Sequence, residues 1–124
     1  MEEEAVDLIA YLKEAAVILG IECTISHPQT LGKMPKLVTR CRRMEETVKD
    51  LGLEVIPVLA TALDEVSQSE IETAAHDGIS LLTQKDLLKL LQLAGAGAQP
   101  TAILRHIRSR ITNKDAGPFG AQFG

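Results

Sequence analysis

The stretch Val6-Asp7-Leu8-Ile9-Ala10-Tyr11-Leu12-Lys13-Glu14-Ala15-Ala16-Val17-Ile18-Leu19-Gly20-Ile21-Glu22-Cys23-Thr24 decides what kind of fold this chain adopts, and it reads two ways. As a hairpin, residues 6–12 form one strand, Lys13-Glu14-Ala15 the turn, and residues 16–23 the next strand. As a single helix, Ala5, Leu8, Ile9, Leu12, Ala15, Ala16 and Leu19 share a face behind an acidic start that suits a helix N-terminus. Ala, Leu, Glu and Lys favour the helix as well. Periodicity alone leaves the two readings level. In the hairpin, Asp7 and Glu22 lie on adjacent strands within apolar runs, where strands disfavour acids and carboxylates are rarely buried unless paired. Two carboxylates so placed can hold one divalent cation.

At 124 residues, 45% hydrophobic and 24% charged, the chain suits one modest domain whose core needs most of its length. A formal net charge of −4 argues against wholesale coating of nucleic acid. The charge is uneven, because Lys33, Lys36, Arg40, Arg42 and Arg43 fall within eleven positions that contain no acid. Lys36, Arg40 and Arg43 stand at i, i+4 and i+7, on one helical face. Such a stripe fits contacts to a phosphate backbone, and equally a solvated face paired with Glu45, Glu46 and Asp50.

Cys23 and Cys41, eighteen positions apart, make no secreted disulfide framework, and with His27 they lack the spacing of a zinc site. The start has no basic n-region, and the longest apolar runs fall short of the about 18 residues of a membrane span. The expectation is a cytoplasmic protein with no membrane partner. One Tyr, two Phe and no Trp supply a poor stacking platform for single-stranded bases.

Further along, Pro28 to Pro35 reads as a loop, and Pro35 suits the first position of a helix reaching Leu51, with Leu37, Cys41, Met44 and Val48 on one face. Gly52 supplies its stop. Glu54 to Thr61 reads as a buried strand that Pro57, without a ladder donor, pushes toward an edge or an irregularity. Ser67-Gln68-Ser69-Glu70 has the form of a capping box before a short helix ended by Gly78, where His76 suits the last carbonyls. Residues 79–82 form a short strand, and Thr83 caps a leucine-rich helix. Strand, helix, strand, helix in this order implies a parallel α/β unit. The expected organisation is a domain over 1–94, a small-residue linker over 95–100, an amphipathic helix over 101–111 and a disordered tail over 112–124. That helix, with Ile103, Leu104, Ile107 and Ile111 on one side, would pack on the domain, join a partner or touch nucleic acid.

The segments Ala5 to Ala10, Ile21-Glu22-Cys23-Thr24, Val55 to Thr61 and Asp77 to Leu87 together resemble the PD-(D/E)XK nuclease superfamily, with Val6-Asp7-Leu8-Ile9-Ala10 closest to its Mrr-type restriction branch. The resemblance covers about three-quarters of the chain, and its motif is short and degenerate. It favours the hairpin over the helix. It implies an α/β, restriction-endonuclease-like mixed sheet flanked by helices, truncated at its N-terminus, because the family places a helix and a strand before the metal-binding Asp. Carried over, Asp7 matches the first metal-binding Asp and Glu22 the second acid, with Mg²⁺, or Mn²⁺ in its place, as the cofactor and duplex or structured DNA as the substrate. Thr24 stands where the family usually has Lys. Lys36, or Lys33 just before it, could reach back to replace that charge, and Glu4 could assist the metal.

Three functional expectations follow. The first is a Mg²⁺-dependent endonuclease-like domain with Asp7, Glu22 and Lys36 or Lys33 at its centre and Lys36, Arg40 and Arg43 toward DNA. The second is a non-catalytic relative that binds DNA or associates with itself, as a homodimer through sheet edges that the truncation leaves open. The third is a small helical interaction protein in which the carboxylates carry no shared role.

Overall fold

The computed structural model describes residues 6–28 and 32–119, with side chains described as far as Ile111. The opening stretch is a hairpin: β1 (Leu8–Leu12) runs antiparallel to β2 (Val17–Thr24), with Leu8 opposite Ile21 and Leu12 opposite Val17. A single 3₁₀ turn over Lys13–Ala15 joins them, and Ala16 closes it at φ 57°, its N–H donating to the Lys13 carbonyl at 3.1 Å. Helical spacing of the apolar residues is real but loses, because β2 pairs along its whole length with a second partner. That partner is β3 (Glu54–Thr61), parallel to β2 from Val17↔Glu54 to Thr24↔Thr61. The helical reading of residues 5–19 is thereby excluded for its described part.

Between them lies α1 (Lys33–Val48), continued by a 3₁₀ turn over Lys49–Leu51 and stopped by Gly52 at φ 73°. The helix begins two residues before Pro35, so Lys33 belongs to its first turn rather than to the preceding loop. Proline is tolerated there because N–H groups of the first turn have no intrahelical acceptor. After β3 come α2 (Gln68–His76), β4 (Ser80–Leu82), α3 (Gln84–Gly95) and α4 (Pro100–Phe119). The described residues thus form a four-stranded mixed sheet in the order β1-β2-β3-β4, with four helices.

Strand alternation divides the core in two. Val55 and Leu59 of β3 face Met34, Leu37 and Cys41 of α1, with Ala74 of α2 and Ile79 alongside. Ile56, Val58 and Ala60 face the other way, against Leu104 and Ile107 of α4. β3 is therefore apolar on both faces, as a strand covered by helices on both sides must be. β3 is a buried strand, as its apolar run suggests, and of the edge or irregularity that Pro57 suggests the edge is corrected: β3 is interior. Pro57 is accommodated because the ladder to β4 starts one residue later, at Val58↔Ser80, so the missing N–H falls where β3 has β2 as its one paired neighbour.

The segment after the linker packs on the sheet. Ser80 Oγ donates to the Ile107 carbonyl at 2.7 Å, and Arg108 makes a two-pronged pair with Glu54 at 2.7 and 3.1 Å. Hydrogen bonding to Arg108 holds the Glu54 carboxyl below its ordinary range. Buried Asp86, in the first turn of α3, accepts from the Thr83 N–H and meets His106 at 3.0 Å and Arg110 at 3.3 Å, which locks α3 to α4. The core thus draws on both sides of the boundary expected near Ala94, since the apolar stripe of α4 covers one sheet face. Backbone helix extends to Phe119 across part of the expected tail, and residues 120–124 lie outside the described residues.

Gly20 sets the distance between α1 and the sheet. A Cβ built there would lie 2.6 Å from Cys41 Sγ and 2.8 Å from Met44 Cε. Strand glycines mark such close approaches, and Gly20→Ala is expected to cost about 1–3 kcal/mol through overpacking. Urea unfolding checks this: the midpoint should fall while its slope against denaturant stays unchanged.

Candidate functional site

The register Leu8↔Ile21 brings Asp7, one step before β1, to the end of the hairpin occupied by Glu22 and Cys23. Asp7 accepts a hydrogen bond from the Cys23 N–H through Oδ2 at 2.9 Å. Side chains alternate along β2, so Val17, Leu19 and Ile21 join the α4 side of the core while Ile18, with Gly20 and Glu22 in step, faces α1. The Glu22 carboxylate, 13% exposed, meets two cations from that helix: Arg40 Nη1 lies 3.5 Å from Oε1 and Lys33 Nζ 3.9 Å from Oε2. The close approach over Gly20 makes this possible, because it brings the helix within side-chain reach of β2.

These placements sort the residues singled out in the sequence. Glu22 and Lys33 meet directly, and Asp7 lies at the same end of the hairpin on the Cys23 N–H. Lys36 lies on the exposed side of the first turn of α1, so of the two lysines it is Lys33 that reaches Glu22. Arg40 turns inward, 15% exposed, and meets an acid of its own chain, whereas Arg43 lies at the exposed surface. The stripe Lys36-Arg40-Arg43 is therefore divided between site and surface. Helical spacing identifies shared direction, but what stands opposite depends on the strand against which the helix packs. Glu4 lies outside the described residues.

Both carboxylates act on the intervening thiol. Burial, then the negative charge of Asp7 and then that of Glu22, push the Cys23 thiol pKa above its ordinary value. Thr24 makes no cation available at the position where one is expected; its hydroxyl lies 3.1 Å from Ser26 Oγ and accepts from the Ser26 N–H at 3.1 Å. Behind this turn Thr61, fully buried, donates to the Ser26 carbonyl at 3.1 Å and accepts from the Leu63 N–H at 3.2 Å. These bonds fix the ends of β2 and β3 beside an open cavity of about 570 Å³, lined by Cys23, Thr24, Ile25, Lys33 and Leu87 among others.

A contact that local sequence does not announce braces the same end of the sheet. Glu70, 3% exposed, closes the capping box of α2 by accepting from the Ser67 N–H at 2.9 Å. The same oxygen lies 3.3 Å from His27 Nδ1, so the loop after β2 is tied to α2 across 43 positions. Capping-box spacing reveals the helix start, while the histidine partner has no sequence signal. His76, by contrast, meets its neighbour Asp77 at 3.2 Å.

The donor set has limited metal-binding capacity. Among the described residues no group of three or more His, Cys, Asp or Glu side chains is arranged to hold a metal ion. Asp7 and Glu22 supply hard oxygen ligands, and Mg²⁺ is commonly held by one or two carboxylates with water and substrate phosphate completing its shell. Two carboxylates are of the type and number that this mode uses. No helix among the described residues is long and apolar enough to cross a membrane.

If both carboxylates raise the Cys23 thiol pKa, Asp7→Asn should keep an acceptor for the Cys23 N–H while removing one charge. At about pH 8, where an ordinary thiol is partly ionised, iodoacetamide should then alkylate Cys23 faster than in the parent, as followed by mass spectrometry. The chain matches no protein-family model, no curated protein and no solved structure.

Proposed function

We propose that this chain is a restriction-endonuclease-like domain of the PD-(D/E)XK type that acts on DNA phosphodiesters, with Asp7 and Glu22 as ligands to Mg²⁺ and Lys33 as the accompanying cation. The observation that carries the reading is the meeting of Lys33 with Glu22 at 3.9 Å, at the end of the hairpin where Asp7 is held. It places a positive charge beside the acid although Thr24 occupies the usual lysine position. The order of hairpin, helix, strand, helix and strand supports the fold assignment.

Mg²⁺ bound to two carboxylates would supply charge neutralisation to a phosphodiester and lower the pKa of an attacking water. The chain's own residues have separate tasks. Asp7 is oriented by the Cys23 N–H, so its carboxylate stays at the hairpin end. Lys33, on a helix fixed against Gly20, offers three ammonium donors to a phosphate oxygen or to the attacking water. Arg40 steadies Glu22 from its second side. Lys36, Arg42 and Arg43, exposed on the same helix, would add sequence-independent attraction to the DNA backbone.

A second reading rests on the same acid. Glu22 lies between Lys33 and Arg40 and is balanced without a metal ion, as it would be in a non-catalytic relative that binds DNA through the basic helix. Calorimetric titration with Mn²⁺ separates the two. Under the catalytic reading the wild type binds Mn²⁺, and Glu22→Ala weakens binding at least tenfold, about 1.4 kcal/mol. Plasmid nicking by the wild type should disappear in the same variant. Equal Mn²⁺ binding by both proteins would sink the metal site. Metal-indifferent DNA binding that weakens in Lys36→Ala and Arg43→Ala would establish the second reading.

A further inference from the structure

β1 carries an apolar surface that the described fold leaves open. Leu8, Ile9 and Tyr11 are 57%, 60% and 56% exposed. Among the described residues β1 pairs with β2 and with no other strand, so the backbone donors and acceptors along its other side have no strand partner. Leu8-Ile9-Ala10-Tyr11-Leu12 contains no charge and no proline, and its ladder to β2 is unbroken over all five residues. These are the features with which sheets normally blunt an edge, and their absence leaves a template for another strand.

The residues at the two ends of β1 suit a second copy of the same segment as that strand. In a two-fold antiparallel pair, opposed residues must lie on the same face of the sheet, so the two residue numbers of each pair must sum to an even value. The arrangement centred on Ala10 pairs all five residues: Leu8 with the partner's Leu12, Ile9 with the partner's Tyr11, and Ala10 with the partner's Ala10. One step beyond the strand at each end it brings the acidic Asp7 and the partner's Lys13, which opens the 3₁₀ turn, to facing positions, so opposite charges come near each other at both ends by symmetry. Moving the axis to Ile9 or Tyr11 shortens the fully apolar ladder and takes these charges out of facing positions.

We infer that two copies of this chain associate edge to edge through β1, antiparallel and centred on Ala10, to form a continuous sheet across both subunits. The interface is isologous, which gives a closed dimer rather than an open polymer. It puts the aromatic Tyr11 over β-branched Ile9 on one face, a favoured cross-strand combination. The inference rests on β1 and its two flanking residues and shares only Asp7 with the proposed site, so Ile9→Lys tests it separately from Glu22→Ala.

Sedimentation equilibrium of the full chain, combined with cross-linking, tests it. The wild type should dimerise, and Ile9→Lys should weaken the dimer about tenfold or more by losing two cross-strand pairs and charging the edge, with its circular dichroism unchanged. Lys13→Glu should weaken it as well by opposing acids across both end pairs. In a Cys23→Ser background, Ala10→Cys should form a disulfide-linked dimer on mild oxidation, since residues opposed across an antiparallel pair lie within disulfide reach. A wild type that is monomeric at every concentration overturns the inference. So does a dimer indifferent to Ile9→Lys. A dimer weakened by Ile9→Lys but not cross-linked through position 10 uses the edge in another register and overturns the Ala10-centred pairing.

Discussion

The close packing of α1 on β2 at Gly20 is the constraint on which the rest of the arrangement depends. With no Cβ at that position, Cys41 and Met44 occupy space that any other residue would fill. The helix is thereby drawn against the hairpin, and its first two turns carry Lys33 and Arg40 to the Glu22 carboxylate. Burial also pushes the Cys41 thiol up to about 11, as suits a sulfur that packs rather than reacts. One missing side chain therefore determines both the core spacing on this face and the charge balance of the candidate site.

The second determinant is β3, whose apolar run serves two faces at once. Its alternating residues bind α1 and α2 on one side and α4 on the other, so the parallel pairing with β2 fixes the hairpin against the whole core. That coupling explains why a stretch compatible with a helix forms strands. Local propensity is worth a few tenths of a kcal/mol per residue, about the scale that a buried ladder and its packing readily exceed.

Much of this architecture was legible in the sequence because it is written in local chemistry. Gly52, Gly78, the Ser67–Glu70 box and the Thr83 cap all occur where structure requires a stop or a start. The hairpin was not decided by periodicity, since its apolar residues satisfy both repeats. Spacing puts Arg40 on one helical face with Lys36 and Arg43, open to a phosphate or to local acids, but does not reveal the Glu22 that stands opposite it. The tie from Asp86 to His106 and Arg110, and that from Glu70 to His27, join distant segments whose approach no local pattern encodes. α4 announced an apolar stripe without announcing the sheet face it covers.

The central claim is that the Asp7 and Glu22 carboxylates form one divalent-cation site at the end of the hairpin. Paramagnetic broadening of the protein's amide NMR signals by substoichiometric Mn²⁺ tests it most directly, because the effect reports position without requiring catalysis. The account predicts that the amides of Leu8, Glu22 and Cys23 broaden first and that of Lys33 next, while α4 is unaffected until Mn²⁺ is in excess. Broadening centred elsewhere, or none at the hairpin end, would contradict it.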